Sequence, residues 1–143
     1  MKYDIISIRS TRVPCKVSRP VDVYAALRRY AKSKVEKFFA ITLNGRHDIL
    51  HVNLVSIGTT NKCMAHPREI YLACVKDQAT ALIVAHCHPS GDVTPSLEDR
   101  DITKRLREAG EILGIPMLDH VIISREGYSS FVELGLLEPA TYE

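Results

Sequence analysis

The chain has 143 residues, 45% hydrophobic and 25% charged, the length and composition of one globular domain able to build its own core. A net charge of +2 leaves no bulk electrostatic footprint for nucleic acid, and no apolar stretch is long enough to span a bilayer. Four cysteines without a Cys-x-x-Cys pair argue against both a disulfide scaffold and a cysteine-rich zinc site, and Met1 to Arg9 lacks the form of a signal peptide, so a reducing cytoplasm is the expected setting.

Residues 1–18 alternate loosely and read as a strand or extended arm, set apart from a domain over 19–143. Ser18 can cap and Pro20 suits a first turn, so Val23, Tyr24, Leu27, Tyr30 and Ala31 predict a helix from Pro20 to about Lys34. The basic cluster Arg28, Arg29, Lys32 and Lys34 falls at helical spacing and reads as a solvated face. Phe38 to Leu43 is a strand, Asn44-Gly45 a hairpin turn, and Ile49 to Ser56 the returning strand, which Gly58-Thr59-Thr60 ends. Asn61 to His66 reads as irregular or a short strand. Pro67 opens a helix to about Asp77 with Ile70, Leu72, Ala73 and Val75 as its apolar side. The unbroken run Leu82, Ile83, Val84 marks a central strand buried on both faces. Ile102, Leu106, Ala109 and Leu113 then form an amphipathic helix stopped by Gly114 and Pro116. Leu118 to Ser124 is a strand, Glu126-Gly127 a turn, Tyr128 to Phe131 the return, and Leu134 to Leu137 a short tail element. Strands interspersed with helices in this order give an α/β domain, a mixed sheet with helices on both sides.

Chemistry concentrates between Ala85 and Asp99. Residues two apart on a strand share a face, so His86 and His88 project together and Cys87 projects the other way. Pro89 holds His88 extended, and His88-Pro89-Ser90-Gly91 turns the chain toward the next helix. Ser96 and Asp99 have the spacing of a capping box, which by itself would explain both residues. Beside two histidines, the same helix start can bring Asp99 to a shared metal ion, and two His and one Asp leave a fourth tetrahedral position for water. The pattern excludes other metalloenzymes: no Glu lies between the histidines as in the helical zinc motif, and no Pro-Cys-x-x-Cys follows as in zinc deaminases. A general base must therefore come from elsewhere, with Glu36 and Glu69 as candidates; Glu69 is explained by the dipole of its own helix start, and strand alternation leaves the direction of Glu36 open. His120 reads as a satisfied histidine at a strand start, with a role behind the metal ligands as the alternative, and His47, His51 and His66 read as solvent or turn residues.

His86-x-His88, ten residues, then Asp99 with Ser96 three before it resembles the JAMM signature of the JAB/MPN metallopeptidases. The surrounding His88-Pro89-Ser90-Gly91-Asp92, Thr94-Pro95-Ser96, Leu118-Asp119-His120-Val121 and His66-Pro67-Arg68-Glu69 are similar to the bacterial RadC-like JAB domain, from about Arg19 to Leu137. The resemblance implies a cytidine-deaminase-like αβα sandwich, zinc held by His86, His88 and Asp99, Ser96 as a hydrogen-bond donor to the tetrahedral intermediate, and Glu36 as the catalytic base. It implies a zinc metallopeptidase or isopeptidase acting on a peptide or isopeptide substrate. The alternatives are a metal-stabilised interaction module and a DNA-repair-associated accessory protein. Cys87 stands where the family usually carries Asn, and nothing before Arg19 has the length of the helix-hairpin-helix DNA-binding region of longer relatives. Nucleic acid is accordingly not expected as a partner of this chain alone, nor is a membrane.

Overall fold

The computed structural model describes residues 6–8, 16–57 and 65–139, the first three by their backbone. Strand β1 (Ile6–Ile8) precedes helix α1 (Pro20–Leu27), the hairpin of β2 (Lys37–Leu43) and β3 (Ile49–Ile57), and helix α2 (Pro67–Lys76). Strand β4 (Ala81–Cys87), helix α3 (Leu97–Leu113), β5 (Met117–Ser124) and β6 (Gly127–Ser130) complete the order. The strands form one sheet, β1-β3-β2-β4-β5-β6, antiparallel except for the parallel pair β4 and β5. That pair is joined by α3, the crossover that a parallel connection requires.

The sheet divides the core in two. On one face α1 packs Val23 and Leu27 onto Phe39, Ile41, Ile83, Ala85 and Val121. On the other, α2 and α3 pack Ile70, Tyr71, Cys74 and Leu106 onto Phe38, Ala40, Leu82, Val84 and Ile122. The expected αβα sandwich with a mixed sheet is the observed architecture. β4 is buried along its whole length, as its unbroken apolar run requires. Close approach of α3 to the sheet depends on Gly110, because a Cβ there would sit 2.6 Å from the carbonyl of Ile115 and collide with the Tyr71 hydroxyl. That hydroxyl donates to the carbonyl of Leu106 at 2.8 Å and ties α2 to α3.

Three local expectations are corrected. Helix α1 ends at Leu27 and tightens into a 3₁₀ turn over Arg28–Tyr30 instead of running to Lys34. Past Ala31 the chain has no apolar residue to bury until Val35, which is itself exposed, so nothing rewards a longer helix; Tyr30 instead packs at a tilt against Phe39, ring centroids 5.0 Å apart. The hairpin does turn at Asn44-Gly45, between a strand that ends at Leu43 and one that starts at Ile49. Asn44 anchors a longer loop by accepting the amides of Arg46 (2.9 Å) and Asp48 (3.0 Å) on its side-chain oxygen, and His47, not Gly45, takes the positive φ of 64°. The buried side of α2 is Ile70, Tyr71, Ala73 and Cys74, while Leu72 and Val75 face solvent; on α3, Thr103, Leu106 and Gly110 are buried and Leu113 is exposed. His51, expected in solvent or a turn, is half-buried on β3, 3.0 Å from Asp77 at the end of α2. Asp77 also accepts from the Thr42 hydroxyl and the Asn53 amide, a polar tie between sheet and helix. The readings of Gly58 to Met64 and of most of the N-terminal arm lie outside the described residues.

Candidate metal centre

The site forms where β4 leaves the sheet. His86 is the penultimate residue of β4 and His88 follows its end, both on the face covered by α3, while Cys87 points into the opposite core. Helix α3 starts at Leu97 with Ser96 as its N-cap: the Ser96 hydroxyl accepts the Asp99 amide (3.1 Å) and the Asp99 carboxylate accepts the Ser96 amide (2.8 Å). The capping box therefore does more than end a helix. It holds the Asp99 carboxylate so that Oδ1 lies 3.0 Å from His86 Nε2 and Oδ2 lies 3.2 Å from His88 Nε2. One geometry both caps the helix and sets the carboxylate against the two imidazoles.

The two Nε2 atoms are 2.7 Å apart. Which of them carries a proton follows from the partners behind each ring. His88 Nδ1 faces the Asp92 carbonyl at 2.8 Å, an acceptor only, so Nδ1 holds the hydrogen. His86 Nδ1 faces Nε2 of His120 at 2.8 Å. His120 Nδ1 in turn faces the Thr103 hydroxyl at 2.6 Å, and that hydroxyl donates its proton to the Asp99 carbonyl at 2.7 Å. The Thr103 oxygen must therefore accept from His120 Nδ1–H, which leaves His120 Nε2 to accept from His86 Nδ1–H. Complete burial, together with the neighbouring His86, pushes the His120 pKa well below its usual value, so that ring stays neutral in this chain. Both His86 and His88 are left with a bare Nε2 lone pair, aimed at one point beside a carboxylate.

Such a convergence of lone pairs asks for a cation. Donor atoms of His86, His88 and Asp99 all lie within 4.8 Å of one another, the one such group of three or more among the described residues. A tetrahedral zinc ion with ligands at roughly 2.0–2.1 Å separates its donors by about 3.3 Å, so the three residues fit it after a slight spreading of the two rings. A proton is the alternative occupant. Burial lowers the His88 pKa, but its bonds to Asp99 and to the Asp92 carbonyl outweigh that and raise it overall; burial raises that of Asp99, yet His86, His88 and the Ser96 amide hold it far below the usual carboxylate range.

The donors open into a cavity of about 460 Å³, also lined by Glu36, Phe38, Ser96, Glu98, Ile102 and Arg105. Glu36 immediately precedes β2, which pairs antiparallel with β4 so that Phe38 opposes His86 and stacks on it at 5.6 Å. Continued by two residues, the same register sets Glu36 opposite His88. All five residues singled out from the sequence, Glu36, His86, His88, Ser96 and Asp99, thus line one cavity.

Two residues behind the candidate ligands, His120 and Thr103, complete the arrangement; the sequence marks the first as a satisfied histidine and does not mark the second. His120 is satisfied, but by His86 and Thr103, and so belongs to the site. Its signal in the sequence was a polar ring inside the apolar strand Val121-Ile122-Ile123. Thr103 on the buried face of α3, four residues after Asp99, offered none beyond its spacing.

The sequence model of the RadC-like JAB domain matches residues 17–136. A UPF0758 protein of Symbiobacterium thermophilum is 41% identical over 136 residues, covering 92% of this chain and 58% of its own length. A UPF0758 protein of Thermotoga maritima is 42% identical over 126 residues (88% and 57%), and one of Trichlorobacter lovleyi 50% identical over 105 (73% and 46%). The chain spans about half the length of the curated relatives it matches.

Proposed function

The chain belongs to the RadC-like JAB domain family, and from that premise we propose that it is a zinc-dependent hydrolase cleaving a peptide or isopeptide amide with an activated water. The observation that carries this reading is the pair of bare imidazole nitrogens and the Asp99 carboxylate converging on one wall of a cavity shared with Glu36 and Ser96. A zinc ion held by His86, His88 and Asp99 would supply a Lewis acid that brings the pKa of water toward about 7 and polarises a carbonyl oxygen. Glu36 accepts the proton of the attacking water and returns it to the departing amine. The Ser96 oxygen already accepts the Asp99 amide, so its own proton is free to be donated to the oxyanion. Phe38 and Ile102 give the cavity apolar walls that strengthen these interactions by excluding bulk water.

Glu36→Gln tests the assignment: zinc content stays at one per chain while hydrolysis of peptide and isopeptide panels falls at least about a hundredfold. Persistent hydrolysis would remove Glu36 as the base. Zinc binding without turnover on any such panel by the parent chain would favour a metal-stabilised interaction module, and salt-dependent DNA binding would favour the accessory-protein reading. Among the described residues, no helix is long and apolar enough to cross a membrane.

A further inference from the structure

We propose that Cys87 is a positioning residue whose thiol clamps the backbone on both sides of Glu36 and so fixes that carboxylate against His88. The inference rests on Glu36 as the base and goes beyond it. The ladder of β2 begins at Lys37, so Glu36 and the residues before it lie in irregular backbone that side chains must hold. Two do so. Ser33 Oγ donates to the Val35 carbonyl at 2.7 Å and accepts the Val35 amide at 3.3 Å. Cys87 Sγ accepts the Lys37 amide at 3.2 Å and donates to the Val35 carbonyl at 3.4 Å. Val35 and Lys37 are the two neighbours of Glu36, so one sulfur grips the chain immediately before and after it.

Sulfur forms weak hydrogen bonds, but here their value is in direction. Cys87 is fully buried, and its strand is the most enclosed in the sheet, so the clamp cannot drift. The strand period does the rest. His86 and His88 carry the candidate ligands on one face of β4 while Cys87, between them, reaches the Glu36 segment from the other. Three consecutive residues thereby set both the metal position and the position of the base relative to it.

The test uses the full chain, zinc-loaded for amide exchange and cobalt-substituted for visible spectroscopy. Cys87→Val fills similar space without either hydrogen bond, and Cys87→Ser keeps a donor and an acceptor. Cys87→Val is expected to bind one metal per chain, to speed exchange of the Lys37 amide about fivefold, and to move the pH midpoint of the cobalt spectrum in the direction in which Glu36→Gln moves it. Cys87→Ser is expected to return both readouts to within about twofold of the parent chain. Unchanged Lys37 exchange in Cys87→Val, or a change that Cys87→Ser does not reverse, would overturn the clamp. If Glu36→Gln leaves the cobalt midpoint where it was, the assignment of the base fails, and Lys37 exchange still judges the clamp separately.

Discussion

The Thr103 hydroxyl never faces the cavity, yet its single proton decides the state of the site. Because it donates to the Asp99 carbonyl, it can only accept from His120, and the choice passes through His120 to leave His86 Nε2 bare. Groups behind metal-bound histidines typically change metal affinity by about 10–100-fold when removed. Thr103→Val should therefore weaken zinc binding about tenfold, and Thr103→Ser should restore it, as read by competition with a chromophoric chelator. Equal affinity in all three proteins would sever the relay from the metal. His88→Ala removes a donor outright and should abolish stoichiometric zinc; retention of one zinc per chain would refute the ligand assignment. Thr103→Val matches the parent in volume but leaves the buried His120 Nδ1–H without its acceptor, so thermal unfolding is measured beside metal affinity.

At the scale of elements, the N-terminus of α3 uses Ser96 as its cap, and the proposed function gives the same serine a second duty. Replacing an N-cap serine by alanine costs about 1 kcal/mol. Ser96→Ala should lose that stability and also turnover, whereas Ser96→Asp restores a capping acceptor without a proton to donate. Stability should then recover in urea unfolding while hydrolysis does not; joint recovery would show that Ser96 serves only as a cap. Local and long-range contacts divide what the sequence reveals from what it does not. His86-x-His88 was legible because strand period and the following proline fix both rings locally, and Asp99 because a capping box fixes it against Ser96. Glu36 was not legible from its own surroundings, because its place depends on the pairing of Phe38 with His86, a contact between residues far apart in the chain. The buried face of α2 departs from its apolar periodicity for a related reason: Tyr71 is drawn inward by the carbonyls of Leu106 and Ile115, which no pattern within α2 encodes.

For the molecule as a whole, the site couples stability to pH, and a bound metal would act on the same groups with the opposite sign. Asp99 is held below its usual value of 3.8, so its contribution is present above that pH and is lost as pH falls below it. His88 is raised above 6.5, so its contribution is complete below 6.5 and is lost as pH rises through the raised value. The metal-free chain is therefore best served by this pair between about pH 4 and 6.5 and weakens above it. A metal ion on these donors would need the same His88 nitrogen without its proton, so zinc there would compete with the proton. A ligand present at a hundred times its Kd stabilises the folded state by about 2.7 kcal/mol, or about 10 °C in Tm for a domain of this size. Thermal unfolding with zinc and with excess chelator should then show a difference that is small at pH 5.5 and approaches that value at pH 8. The chelated protein alone should lose Tm between those two pH values. Cooperative binding of proton and metal, seen as a zinc-induced shift that grows toward acid, would contradict the shared position, and a shift independent of pH would place zinc on groups other than His88.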